Sequence, residues 1–487
     1  MKFMIDKVEL FGLIESHFHS DLLQNEYTVE SISPVSLMTV GRLDLGFKII
    51  FLELLKYGAK FGLTAYRKNI EACNFGKYHE PGRNDKNNLE SFVNEFLDTS
   101  ESIKNEGFDL TKSLIPLSKN GSIANGAHRV ASAIFFDKPV GVVNIESSNH
   151  IQDYKFFYGR GVDSYIVEAA VTSFIENSNN IHVAFLWPSN KGLTVSETFI
   201  PNVLYSKKIS LSPNGAHNLL SQLYSDEAWI GSVSDNFRGV NEKLIKCFKR
   251  FDSFQVVAFQ ANALEDVLLI KDRIRLAAKV GKHSIHITDT KSEAVKSAKL
   301  VFNENSLHFL NYAKPNKYLS LHVKINMLKE HLSSENIEEK EVVMDSGMVL
   351  SAYGMRESID VDGFTVSSDL PDSDIFENHD NQLVFHNEDK LDLIFDPKFY
   401  FYFCGLKFLS FDQVFKMKKS RVEIKDKNDI LMMESFISKN GIKFFTSKIN
   451  QKIYYFVIKL QQGFVNFLKI VGLYEYVRKY YRMIKGL

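Results

Sequence analysis

Asp360 and Asp362 stand one residue apart in the segment MDSGMVLSAYGMRESIDVDGF. On a β-strand that spacing places both carboxylates on one face. Two like charges so close repel unless a divalent cation lies between them. Mg²⁺ is the natural choice for carboxylates that must also meet a phosphate, with Mn²⁺ as its substitute. A metal gripped by Asp360 and Asp362 would neutralise charge that develops during phosphoryl or nucleotidyl transfer. Upstream, a strand-like EVVM runs into Asp345-Ser346-Gly347. A turn at Ser346 and Gly347 that opens a helix offers backbone N–H groups to the same phosphates, and Arg356 offers a bidentate fork. The competing reading is a surface turn with two solvated aspartates. Asp392, in Leu-Asp-Leu, is a candidate third carboxylate.

A second constellation lies in LIPLSKNGSIANGAHRVASAIFF. Two short strands frame the turn Lys119-Asn120-Gly121, and Gly126 then precedes an Ala-rich helix. A glycine there lets backbone approach an anion closely. Arg129 can add a fork and His128 a further donor, while Ala131 and Ala133 permit tight packing. The plainer alternative has Arg129 capping local carbonyls. Glu80, in the polar loop HEPGRNDKNN, is a candidate acid or base. The run KHSIH is read as a strand carrying His283 and His286 on one face, with Asp289 following, for zinc or substrate. His17 and His19 read as structural, and His308 as a satisfied core histidine.

These residues must be held by a large molecule. The chain has 487 residues, enough for about three domains. Apolar residues make up 45% and charged residues 24%, which excludes a disordered, collagen-like or disulfide-stapled chain. Lys+Arg and Asp+Glu are each 59, so no basic excess marks a nucleic-acid binder, and no helix-turn-helix is visible. Cys73, Cys247 and Cys404 are scattered and form no CxxC, which suits buried thiols in a reducing cytosol. The N-terminus is broken by charges and lacks the apolar core of a secretion signal. No uncharged apolar run reaches the ~18 residues of a membrane span. The expectation is a soluble or peripheral cytoplasmic protein.

Helical patterns alternate with strand patterns, so the fold class is α/β and α+β, multidomain. Helices are predicted over 42–72, 89–105, 126–136 and 292–311, and strands over 181–187, 254–259, 284–287, 341–344, 361–366 and 383–385. Candidate boundaries fall near 180, 250 and 440.

The charge is uneven. From Gly441 onward the sequence holds Lys443, Lys448, Lys452, Lys459, Lys469, Arg478, Lys479, Arg482 and Lys485 against the single acid Glu475. Phe456, Leu460, Phe464, Phe467, Val471 and Tyr474 recur at three- and four-residue steps, while Lys459, Gln462, Asn466 and Lys469 fall opposite. A basic amphipathic helix suits an anionic membrane surface. The alternative is a helix that packs this stripe on its own domain.

Two resemblances join these readings. The words Asp-Ser-Gly, Gly-X-Arg and Asp-X-Asp, carried by Ser346, Gly347, Arg356, Asp360 and Asp362, resemble nucleotidyltransferase-fold proteins of the LicD/fukutin type. Arg421, Lys425-Asp426 and Asp429-Ile430 are similar to a helix start found late in such domains, where the basic residues would face donor phosphates. The resemblance implies Mg²⁺-dependent transfer of a phospho-alcohol or nucleotidyl group. The donor would be nucleotide-activated, CDP-linked, and the acceptor a glycan or lipid-linked glycan of a bacterial surface. Gly126, His128, Arg129 and Ala133 resemble the ParB/sulfiredoxin superfamily, whose members bind nucleotide phosphates at this motif. That implies an alternative, a kinase or CTP hydrolase acting on a small hydroxyl substrate, or two domains acting in sequence. The implied layout is a ParB/sulfiredoxin-like domain at 1–180, a connecting α/β region at 181–250, a nucleotidyltransferase-like domain at 251–440, and a membrane-surface helix at 441–487.

Overall fold

The computed structural model describes residues 2–78, 87–190, 199–367, 375–438 and 441–485. Within them helix and sheet are mixed, as the alternating patterns imply, and three sheets follow one another along the chain. The first is built from β1 (Lys2–Asp6), β2 (Glu26–Ile32), β3 (Ile115–Leu117) and β4 (Val140–Asn144), in the order β1-β2-β4-β3. Only the β3–β4 pair is parallel. Gly126 caps the following helix, Ala127–Phe135, with a left-handed φ of 91° that glycine adopts at little cost.

The second sheet takes β5 (Ile181–Leu186), β6 (Val203–Ile209), β7 (Phe254–Gln260) and β8 (Ile285–Ile287), ordered β6-β7-β5-β8, with every neighbour antiparallel. From Val183 to Trp187 the chain is an unbroken apolar run because both faces are covered. Val183, Phe185 and the adjoining Trp187 enter the main core, while Ala184 and Leu186 enter a second cluster with Val267, Ile270 and Ile274. The expected boundary near 250 cuts through this sheet, which draws two strands from each side of that point. Such a division follows loop composition, whereas strand pairing joins segments that are remote in sequence.

The third sheet holds β9 (Val342–Met344), β10 (Asp362–Thr365), β11 (Glu377–Asn378), β12 (Tyr400–Phe403) and β13 (Leu406–Leu409), in the order β11-β10-β9-β13-β12. β9 runs antiparallel to β10 and parallel to β13, and β11 lies parallel beside β10. Two sequence expectations change here. The helix foreseen over 292–311 is two helices, Lys291–Val301 and Glu304–Tyr312, because the Asn303 side chain caps the second by accepting from the Ser306 N–H at 2.8 Å. Leu383–Phe385, read as a strand, belongs to the helical turn Leu383–His386. A three-residue apolar run carries too little periodicity to separate the two.

One hydrophobic cluster runs from Leu37 to Met433 and so joins the N-terminal helices to the third sheet. Tyr57 donates to Glu341 and stacks on Phe395 with centroids 4.7 Å apart, and Lys60 pairs with Asp389. Inside the N-terminal part, Asp44 is fully buried between two cations. Arg42 reaches it through Nε at 2.9 Å and Nη2 at 2.8 Å, and Lys48 through Nζ at 2.9 Å. Burial alone would raise the Asp44 pKa, but these two cations hold it well below the usual carboxylate range. Removing one partner of a buried ion pair strands the other charge in a low dielectric. Asp44→Ala should therefore lower the unfolding free energy by roughly 3–5 kcal/mol, measured by urea denaturation. A change within experimental error would show that Arg42 and Lys48 are solvated after all.

Candidate functional site

The third sheet brings the sequence motif together in space. β9 ends at Met344, Asp345 follows it as the N-cap residue, and the short helix Ser346–Ala352 starts at once. Ser346 takes a positive φ of 43°, so the chain turns sharply there. Gly347 then passes so close to the returning chain that a Cβ on it would lie 2.7 Å from Ser358 Oγ and 3.6 Å from Asp362 Oδ2. That close approach gives the glycine a structural reason.

Asp360 is not on a strand. It sits in a bend just before β10, whose first residue is Asp362. The bend is held by Lys324, whose Nζ donates to the carbonyls of Ser358 and Ile359, each at 2.6 Å, and by Ser358 Oγ, which donates to the Asp360 carbonyl at 2.6 Å. The third carboxylate comes from Glu377, which the parallel β10–β11 register sets opposite Asp362. Carboxylate oxygens of Asp360, Asp362 and Glu377 lie within 4.8 Å of one another. Asp392 is not part of this group; it lies on the helix Lys390–Phe395, in the electrostatic neighbourhood of Lys60 and Asp389.

Behind the acids lies a buried relay of polar side chains. Asp345 is fully buried, and its Oδ2 faces His379 Nδ1 at 3.0 Å and His386 Nε2 at 3.3 Å. The other imidazole nitrogen of His379, Nε2, faces Asp362 Oδ1 at 3.7 Å. Burial raises the Asp362 pKa; the nearby charges of Asp345, Asp360 and Glu377 add to the rise, and His379 opposes it. Burial alone would lower the His379 pKa, but its bond to Asp345 and the charge of Asp362 leave it above the ordinary histidine value. For Asp345, burial is outweighed by His386 and His379, which hold its carboxyl well below the usual range. The site thus concentrates negative charge at its mouth and offsets part of it with imidazoles.

The basic residues expected to face phosphates are engaged elsewhere. Arg356 forms a bidentate pair with Asp429, through Nε at 2.8 Å and Nη2 at 3.0 Å. Arg421 does the same with Asp426, both bonds at 2.8 Å, and its Nη1 donates to Gln382 at 3.1 Å. Lys418, unremarked in the sequence, lies between both acids at 3.0 and 2.9 Å. Asp426 and Asp429 are fully buried, so this cluster ties the helix Ile424–Ile437 to the helix Phe411–Arg421 and to the Arg356 segment. Lys425 stays at the surface, paired with Glu423 at 3.2 Å.

In the N-terminal motif, Arg129 bonds Glu15 at 2.9 Å and the Leu114 carbonyl at 3.3 Å. Its Nη2 lies 2.9 Å from where a Gly126 Cβ would be, so Gly126 makes room for that guanidinium. His128 shares a hydrogen bond with the Tyr66 hydroxyl at 3.0 Å and packs on Phe96. Glu80 lies outside the described residues. His283 and His286 do not share a strand face. They are three residues apart, His283 ends a 3₁₀ turn, and His286 on β8 meets the Tyr224 hydroxyl at 3.1 Å, while Asp289 pairs with Lys271. His308 meets the Tyr353 hydroxyl at 2.8 Å, the satisfied role foreseen for it. Burial pushes the thiols of Cys73, Cys247 and Cys404 up to about 11, and none is in a disulfide.

Sequence reasoning missed Glu377, His379, His386 and Lys324. The motif words do include Asp345, but nothing in them says that it is buried. Glu377 and His379 reach the site through backbone bonds across a strand pair, Glu377 N–H to the Val361 carbonyl and His379 N–H to the Gly363 carbonyl, each at 2.9 Å. No local spacing encodes such a register.

No family model, curated protein or solved structure matches this chain.

The Arg356–Asp429–Lys418 cluster has a pH signature. Burial would raise the Asp429 pKa, but Arg356 and Lys418 bring it down to about 2. An unfolded aspartate titrates near ~3.9, so between those values the unfolded chain binds the proton first. The stabilisation is complete above about pH 4 and lost as pH falls toward 2, a difference on the order of 2 kcal/mol. Urea unfolding at pH 5 and pH 2.5 should show a smaller acid loss in Asp429→Asn than in the native protein. Equal losses would refute the assignment.

Proposed function

We propose that this chain is a metal-dependent transferase that moves a phospho-alcohol or nucleotidyl group from a nucleotide-activated donor, CDP-linked, to a hydroxyl of a glycan acceptor. One observation carries the reading: the carboxylates of Asp360, Asp362 and Glu377 converge at the start of β10, directly beside the Ser346–Gly347 turn. The donor set fits a divalent cation, since it offers hard oxygen ligands whose mutual repulsion a cation would relieve. Asp360, Asp362 and Glu377 would hold the ion, Mg²⁺ or Mn²⁺, which supplies positive charge to a diphosphate during transfer. Lys324 fixes the bend that presents Asp360, and Asp345 fixes the imidazole that leans on Asp362. The layout of β9, turn, short helix and β10 agrees with the resemblance to nucleotidyltransferase-fold proteins. Arg129 and His128 already have partners, so nothing favours the N-terminal motif as the reacting centre.

The C-terminal helices fit a peripheral location near lipid-linked acceptors. Gly441–Ile470 is a helix of 30 residues, about 45 Å long. Ile442, Phe445, Phe456, Leu460, Phe464, Phe467 and Ile470 along it are 57–84% exposed, so these side chains do not pack on the protein's own domain. Among the described residues no helix is long and apolar enough to cross a membrane. An exposed apolar stripe on a segment with nine basic residues and one acid matches the chemistry of an anionic bilayer surface.

Two experiments test this. A thermal-shift screen of nucleotides and CDP-alcohols with Mg²⁺ should raise the native Tm; a ligand at 100 times its Kd stabilises by about 2.7 kcal/mol. Asp362→Asn should lose the response and the transferase activity with its fold intact, and an undiminished shift or turnover would sink the reading. For the tail, the full chain should co-sediment with vesicles containing anionic phosphatidylglycerol and much less with pure phosphatidylcholine. Phe464→Glu should release it. Equal binding to both lipids, or a stable dimer that buries the stripe instead, would overturn the membrane assignment.

A further inference from the structure

The three carboxylates have a fourth neighbour of different chemistry. His379 is 8% exposed, and its ring is fixed at one end by the Nδ1 contact to the fully buried Asp345. Asp345 bears a negative charge, so Nδ1 carries the proton and donates it. Nε2 is the ring nitrogen left facing Asp362 Oδ1, across 3.7 Å and beyond hydrogen-bond reach, and it gives up any proton it holds when it takes an ion. That is the arrangement by which proteins present a metal-binding imidazole: a carboxylate behind it sets the tautomer and orientation, and the far nitrogen faces the ion. Donors that share one first-row ion at about 2.1 Å stand about 3 to 3.5 Å apart. The Nε2–Oδ1 separation would have to close by only a few tenths of an ångström.

The backbone makes the placement rigid. The Asp345 N–H donates to the Asp362 carbonyl at 2.8 Å, and the His379 N–H to the Gly363 carbonyl at 2.9 Å. Asp345, Asp362 and His379 therefore sit on three adjacent runs of chain linked by main-chain bonds. His386 is excluded as the nitrogen donor, because its Nε2 faces Asp345 and its Nδ1 faces Gln413 Nε2 at 3.4 Å.

We infer that His379 Nε2 is a ligand of the cation held by Asp360, Asp362 and Glu377, and that the site is a mixed nitrogen–oxygen centre selecting a first-row transition-metal dication over Mg²⁺. Imidazole favours the transition metals, and a set that also holds three carboxylates points to Mn²⁺ among them. The inference rests on the carboxylate reading above and changes the metal it would use.

Mn²⁺ is the probe. Pulsed EPR of Mn²⁺ bound to the full-length native protein should show ¹⁴N coupling from one imidazole, and equilibrium dialysis should give tighter binding of Mn²⁺ than of Mg²⁺. In His379→Asn the shorter amide can keep a donor toward Asp345 while removing Nε2. That variant should lose the ¹⁴N coupling and at least about tenfold in Mn²⁺ affinity, with a smaller change for Mg²⁺. A native Mn²⁺ complex without ¹⁴N coupling, or a variant that retains it, would overturn the role of His379 and leave the carboxylate site standing. If the native protein binds neither ion, or Asp362→Asn binds Mn²⁺ as tightly as native protein does, the carboxylate site itself falls. The native spectrum decides the question even if the variant does not fold.

Discussion

A single carboxylate organises the third sheet. Asp345 is fully buried at the end of β9, where an unpaired charge would be prohibitively costly, and the two imidazoles of His379 and His386 make its burial tolerable. In meeting that demand it fixes the rings of both histidines and, through its backbone N–H, the start of β10. The acidic mouth formed by Asp360, Asp362 and Glu377 is thus built outward from a buried ionic centre. Its other oxygen, Oδ1, is buried and has no hydrogen-bond partner among the described residues, which adds to the negative potential behind the site.

The same economy recurs elsewhere. Asp44 joins Arg42 and Lys48 at the start of the helix Asp44–Leu55, and Asp426 with Asp429, on the helix Ile424–Ile437, joins Arg421, Lys418 and Arg356. Arg356 and Arg421, read along the chain as partners of a phosphate, prove to be the counter-charges of buried acids. A fork matched to a carboxylate has the same geometry as a fork matched to a phosphate, so residue type alone does not separate the two roles.

The C-terminal helices follow the opposite rule. There, among the described side chains, Phe456, Leu460, Phe464 and Phe467 face outward, while Leu468 is buried. An open stripe of that length is unusual for a surface in contact only with water. It links the tail to the catalytic reading, since an enzyme acting on lipid-linked acceptors gains from being held at the surface that carries them.

Much of this was legible in the chain. The alternation of helical and strand patterns gave the mixed architecture, because burial imposes periods of 3.6 and 2 on any amphipathic element. The Asp-X-Asp pair, the Ser-Gly turn and the basic tail are local words, and local words survive in a sequence. Only the tertiary structure decided that Glu377 rather than Asp392 completes the acidic group, that His379 stands behind it, and that Arg356 and Arg421 face buried aspartates. It also decided that strands on both sides of residue 250 form one sheet. The physical reason is common to all four: each depends on strand register or on charge pairing between segments far apart in sequence, and those partners are chosen by packing in three dimensions.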